Sequence, residues 1–216
     1  MIHHVNLGIH ILAGTVAMII GLLAIIYNRQ VALHKKLGRY FVYLLVVVVA
    51  TGFIGFLFFR NDPFLLMLTL IAGYVGYAGY RNVQLREKRG SIWDVSVALA
   101  VLSTALMYTW QLSQSQVLWN SSVILSTVIA LALVTMYDLI KFFFFHSYMK
   151  GWWLYEHIYK IISAFSAMVS AFAGNTLRGF HPYSQIGPSA VCMMLIIFFI
   201  VQRAAMKRKK VNNSIG

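Results

Sequence analysis

Asp94, Asp138, Glu156, His34 and His157 are residues whose types suit acid–base or metal chemistry, and mapping the apolar segments places them near one side of a membrane. They are scarce: the 216 residues hold only 5 acidic side chains and 7 histidines. Imidazole nitrogens and carboxylate oxygens form the donor set of divalent metal sites, and paired imidazoles also suit haem b. This makes Asp138 and Glu156 candidate catalytic residues, His10, His34 and His157 candidate cofactor ligands, and His34, His157 and Asp94 a candidate metal set.

Each has a structural reading beside the chemical one. Asp94 and Glu156 lie in the first turns of predicted helices, where a carboxylate offsets the positive helix terminus, so capping alone explains them. Asp138 lies in a last turn, where the dipole disfavours an anion, and it needs a cation such as Lys141 one turn on. His10 precedes Gly14, Ala17 and Gly21 at i+4, i+7 and i+11, a groove of small residues suited to a buried hydrogen bond or to a planar cofactor. His34 sits in "ALHKKLGRYF", residues 32 to 41; it either joins an inner polar cluster or is solvated among Lys35, Lys36 and Arg39. The surface habit of loops favours solvation, with Gly38 easing the turn into the next helix.

His10 and His157 fall on opposite sides, and 20 helical residues rise ~30 Å, so they cannot share one ion. The sequence has no His-Glu-x-x-His, no Cys-x-x-Cys and no Gly-rich phosphate loop, which leaves the metal signal weak. A retinal Schiff base is disfavoured, because the predicted seventh helix has no interior lysine.

The elements that must position these residues are membrane helices. Hydrophobic residues make up 60% of the chain and charged ones 11%, against roughly 25% charged in soluble domains. Length and residue type predict an all-α integral membrane bundle of seven transmembrane helices near 7–27, 40–59, 64–80, 93–112, 117–140, 154–174 and 186–204. Runs such as "LLVVVVATGFIGFLFF" do not alternate as barrel strands would. Pro63 and Gly90 punctuate boundaries. The start of the chain lacks the charged head of a cleaved signal, so the first run is expected to stay as a helix. The single cysteine, Cys192, reads as a small packing residue.

A net charge of +13 would suggest nucleic acid in a soluble protein, but the cations cluster at the ends of apolar runs, and no nucleic-acid partner is expected. Sixteen of the eighteen fall in alternate connections, the start of helix six and the tail, leaving only Arg60 and Arg178 opposite. The positive-inside rule then puts the N-terminus outside and the C-terminus in the cytoplasm. Residues 1–204 form one domain and 205–216 a basic tail facing anionic lipid headgroups. The segment "KFFFFHSYMKGWW", residues 141–153, is expected to lie along the inner membrane surface.

Within the bundle, helix six has small residues around much of its circumference and is the expected central helix. In helix three, "GYVGYAGY" sets Gly73, Gly76 and Gly79 on one ribbon and Tyr74, Tyr77 and Tyr80 on the next. Close packing beside an inner aromatic belt is the plain reading, and a tyrosine-lined quinone or lipid-headgroup pocket the sharper one.

The pattern His10-Ile11-x-x-Gly14, then Gly21, then His34-x-x-x-Gly38-Arg39, resembles the uncharacterised bacterial membrane proteins catalogued as domain of unknown function 2306. The start of helix six, "EHIYKIISAFSAMVSAFAG", is similar to a later segment of that family, with Glu156 and Lys160 where arginines are usual. The resemblance implies a multi-helix bundle of the bacterial inner membrane and points to His10, His34, Arg39 and His157, without implying an activity.

Three functions are compatible with the sequence. A haem- or metal-dependent redox or hydrolytic protein with an inner histidine and carboxylate cluster leads, on the weight of intramembrane ionisable residues. A small-molecule or lipid permease and a non-catalytic subunit, oligomeric or bound to partner membrane subunits, are the alternatives.

Overall fold

The computed structural model describes residues 1–59, 61–114 and 122–215. Seven α-helices make up the fold: α1 (Ile2–Ile26), α2 (Val31–Phe58), α3 (Pro63–Leu85), α4 (Ile92–Ser113), α5 (Ser122–Ile140), α6 (Trp153–Thr176) and α7 (Tyr183–Ile215), with no strand among the described residues. Arg60, assigned to the outer side, residues 117–121 at the predicted start of helix five, and Gly216 of the basic tail lie outside the described residues.

Among the described residues, five segments are long and apolar enough to cross a membrane: Ile2–Ile26, Val31–Phe58, Ile92–Ser113, Ile124–Phe145 and Tyr183–Arg208. The other two helices, α3 and α6, are the centre of the bundle. They pack extensively on each other; α6 also carries α7, and α3 touches α2, α4 and α5. Helices walled off by other helices can hold polar side chains, because protein replaces lipid as their surroundings. Helix α6 buries residues on most of its circumference, from Glu156 to Gly174, as its small-residue pattern predicts.

Small residues let the helices close up. Helix α1 buries Ala13, Ala17, Gly21 and Ala24 along one stripe. A β-carbon at Gly21 would stand 2.8 Å from the Phe165 ring, and one at Gly76 would overlap Leu45 of α2. One at Gly79 would meet Ile161 at 2.9 Å and the Lys160 stem at 3.1 Å. The glycine ribbon of α3 therefore faces α2 and α6, which turns its tyrosines elsewhere.

Helix α2 starts at Val31, nine residues before the expected 40, so "ALHKKLGRYF" is helical and Gly38 lies within a helix instead of at a turn. Its Leu, Lys and Arg are good helix formers, and charge marks where hydrocarbon ends without ending the helix. The basic tail likewise continues α7 as far as Ile215. The aromatic segment after α5 opens as a π-helical turn, Lys141–Phe145, prolonging that helix.

Candidate functional site

Side-chain bonds gather one end of the bundle. His34 in the first turn of α2 reaches the last turn of α1, Arg89 before α4 reaches the end of α5, and Lys141 reaches the start of α6. Four carboxylates lie at this end: Glu87 is exposed in the connection between α3 and α4, and Asp94, Asp138 and Glu156 each take one cation and one tyrosine hydroxyl.

Asp138 accepts from Lys160 Nζ at 2.5 Å and from the Tyr74 hydroxyl at 2.7 Å. Glu156 accepts from Lys141 Nζ at 2.6 Å on both oxygens, from the Tyr137 hydroxyl at 2.9 Å and from Asn82 Nδ2 at 3.0 Å. Asp94 holds Arg81 in a fork, Nε at 2.7 Å and Nη2 at 2.9 Å, and accepts from the Tyr77 hydroxyl at 2.5 Å. Ser91 completes its capping box through N at 2.7 Å and Oγ at 3.0 Å, as the first-turn position predicts. Desolvated ion pairs are stable only when their remaining lone pairs are satisfied, and the tyrosines supply that need.

The local sequence explains the geometry. Tyr74 and Tyr77, three residues apart on α3, reach Asp138 of α5 and Asp94 of α4 while Gly73, Gly76 and Gly79 face α2 and α6. Glu156 and Lys160 are four apart on α6 and share a face. Tyr137 couples their two pairs: its hydroxyl binds Glu156 and the Lys160 ammonium stands 5.8 Å from its ring centroid.

Two expectations are corrected here. Asp138 takes Lys160, not Lys141, because Lys141 bonds Glu156, and Glu156 is a 6% exposed ion-pair partner beyond its place in a first helical turn. Lys160, read from sequence as an inner-face cation, is 1% exposed and central to the network. The signal was its spacing from Glu156 amid small residues.

A cleft of about 80 Å³ opens between α3, α4, α5 and α6. Its lining includes Tyr74, Tyr77, Asp138 and Lys160 together with Arg86, Lys88, Lys141 and His146; Tyr74 and Lys160 are buried, whereas Arg86 and Lys88 are exposed. Five cationic residues line it against two carboxylates. Partial burial, then the charges of Lys141, Lys150 and Arg89, hold the His146 imidazole below its ordinary pKa. Arg89 stacks on the Phe142 ring at 4.4 Å and donates to the Phe142 carbonyl at 2.9 Å, fixing the connection beside the cleft.

The histidines are individually anchored. His10 Nδ1 lies 2.9 Å from Thr51 Oγ1, whose own proton goes to the Val47 and Val48 carbonyls, so His10 donates. His34 Nδ1 donates to the Ala24 carbonyl at 2.9 Å and His157 Nδ1 to the Gly79 carbonyl at 3.0 Å. A carbonyl only accepts, so Nδ1 carries the proton in both, and Nε2 has the lone pair of the neutral ring. His34 is thus half-buried at the end of α1 and not solvated among its cations, because Ala24 O offers a buried acceptor. The His34 and His157 rings lie 6.4 Å apart, perpendicular to each other.

Asp94 does not join them: both its oxygens are taken by Arg81, Tyr77 and Ser91. Among the described residues no three His, Cys, Asp or Glu side chains converge as a metal-binding group. The candidate set therefore resolves into a histidine pair and three separately neutralised carboxylates, with His10 bonded to α2 elsewhere.

Comparison of the chain with family models, with curated proteins and with solved structures finds no match.

Proposed function

We propose that this is a seven-span protein of the bacterial inner membrane, N-terminus outside and C-terminus inside, that binds a small oxyanion or the anionic group of a lipid in the cleft. This is the small-molecule or lipid-handling reading, and it now stands ahead of the redox one. Helices α3 and α6, 23 and 24 residues long, exceed the ~20 residues that span a bilayer, and their central position accounts for their polarity. The positive-inside rule supports the orientation, which puts the cleft at the cytoplasmic surface among anionic headgroups.

The observation that carries the reading is the charge balance of the cleft. Asp94, Asp138 and Glu156 neutralise Arg81, Lys160 and Lys141, while Arg86 and Lys88 add positive charge that no carboxylate lining the cleft offsets. A drug-sized ligand needs roughly 300 Å³ or more, so the ≈80 Å³ space suits one phosphate or carboxylate group. Lys and Arg side chains with Tyr hydroxyls recognise such a group by charge-assisted hydrogen bonds. The saturated carboxylates are poor general bases and poor metal ligands, which counts against the hydrolytic reading.

The test is thermal unfolding of the detergent-purified protein against rising phosphate or sulfate, with chloride as the ionic-strength control. Oxyanions raise the midpoint of the wild type and leave an Arg86→Ala/Lys88→Ala variant unmoved. Equal shifts in both proteins, or none in either, overturn the proposal.

A further inference from the structure

The geometry points to His34 and His157 as opposed ligands of one transition-metal centre, a site independent of the anion cleft. Both rings spend Nδ1 on backbone carbonyls, of Ala24 in α1 and of Gly79 in α3, which leaves Nε2 as the open nitrogen of each. A backbone acceptor on Nδ1 fixes the ring orientation and raises the basicity of Nε2, as the outer partners of metal-bound histidines do. The pair comes from distant parts of the chain, α2 and α6, and its orientation is held by two further helices.

The spacing selects among contacts. A direct N–H···N hydrogen bond of ~3 Å would draw the ring centroids to roughly 5 Å. Two metal–imidazole bonds of about 2.0–2.1 Å to Nε2 atoms turned toward each other would put the centroids roughly 6.3–6.5 Å apart, a spacing that the observed 6.4 Å between perpendicular rings admits. Two neutral imidazoles suit copper, zinc or iron, and bring no charge of their own. The shared chemistry is axial imidazole ligation, and its source is either a free metal ion or the iron of haem.

The test uses full-length protein in detergent. Metal is quantified, and the absorption spectrum recorded, as isolated and after dialysis against zinc(II) or, under reductant, copper(I). His34→Asn and His157→Asn are the chosen variants, because the amide N–H keeps the bond to the backbone carbonyl while the ligand nitrogen is gone. His3→Ala/His4→Ala controls for chelation by the paired histidines at the chain start.

One equivalent of metal, or a Soret band, in the wild type and in the His3/His4 variant but lost at least tenfold in both asparagine variants supports the site. A Soret band assigns it to haem iron, and metal without one to the free ion. No metal and no Soret band in the wild type, or occupancy that survives both asparagine changes, overturns it. Comparable unfolding midpoints across the set separate lost ligation from lost fold.

Discussion

Lys160 on α6 and Asp138 on α5 meet at 2.5 Å, and the lysine side chain is 2% exposed. The pair ties the central helix to an outer one, with the Tyr74 hydroxyl holding the second carboxylate oxygen at 2.7 Å. Removing one partner leaves the other charge buried and unpaired, a loss of about 3–5 kcal/mol by the behaviour of buried ion pairs. Lys160→Met is therefore expected to lower the unfolding free energy by that amount, and Lys160→Met/Asp138→Leu to recover most of it. A double-mutant cycle from denaturant titration in detergent measures both; an additive double variant would refute the coupling.

Tyr74 and Tyr77 of α3 differ in how far their carboxylates depend on them. Among the described residues Asp138 bonds Lys160 besides Tyr74, whereas Asp94 also has the Arg81 fork and Ser91. Hydrogen bonds to charged groups contribute about 1.5–3 kcal/mol, so Tyr74→Phe is expected to cost that much and Tyr77→Phe less. Thermal unfolding of the two variants side by side decides the order.

Glycines on α2 and α3 answer the same substitution with opposite signs. At Gly76 an added methyl meets Leu45, and Gly76→Ala should destabilise the contact between α3 and α2. At Gly38 nothing lies within 4 Å, so alanine there should stabilise helix α2 by up to about 1 kcal/mol through propensity. A Gly38→Ala variant less stable than wild type would show that the first turns of α2 are not helical.

His146 adds a pH dependence to anion binding. Burial and the cations Lys141, Lys150 and Arg89 lower its pKa, with Glu156 opposing them. It is thus neutral at pH 7 and gains a proton only below the ordinary histidine range of about 6.5. Sulfate affinity should rise as pH falls through that lower range, and His146→Ala should flatten the rise; isothermal titration at pH 7.5 and 5.0 measures it.

Orientation is open to direct measurement. Thiol-reactive, membrane-impermeant reagents should label a cysteine at Gly179 in intact cells, and one at Lys36 only after lysis. The Cys192→Ser background removes the native thiol, which is buried. Labelling of Lys36→Cys from outside would reverse the proposed topology.

Much of the fold was legible in residue order. Apolar run length locates seven helices, Pro63 begins α3 as read, and the small residues of helix six mark the central helix. Boundaries near charge were less legible, because Lys and Arg end a hydrocarbon span without ending a helix. Residues 31–39 and the basic tail are helical for that reason.

The site divides the same way. Sequence fixes which residues are scarce and which end of which helix holds them, since helix rise and charge pattern are local properties. Asp94 as the capping residue of α4 follows from three positions of sequence alone. Partner choice does not: Asp138 has a cation one turn away in Lys141, yet bonds Lys160, 22 residues on, because α5 packs its last turn beside α6 and Lys141 reaches Glu156 instead. The pairing of His34 with His157 likewise depends on where α1 and α3 present the carbonyls of Ala24 and Gly79. Helix formation is decided within a few turns of chain, whereas the partner of a buried charge is decided by which helices stack, and only the packed bundle fixes that.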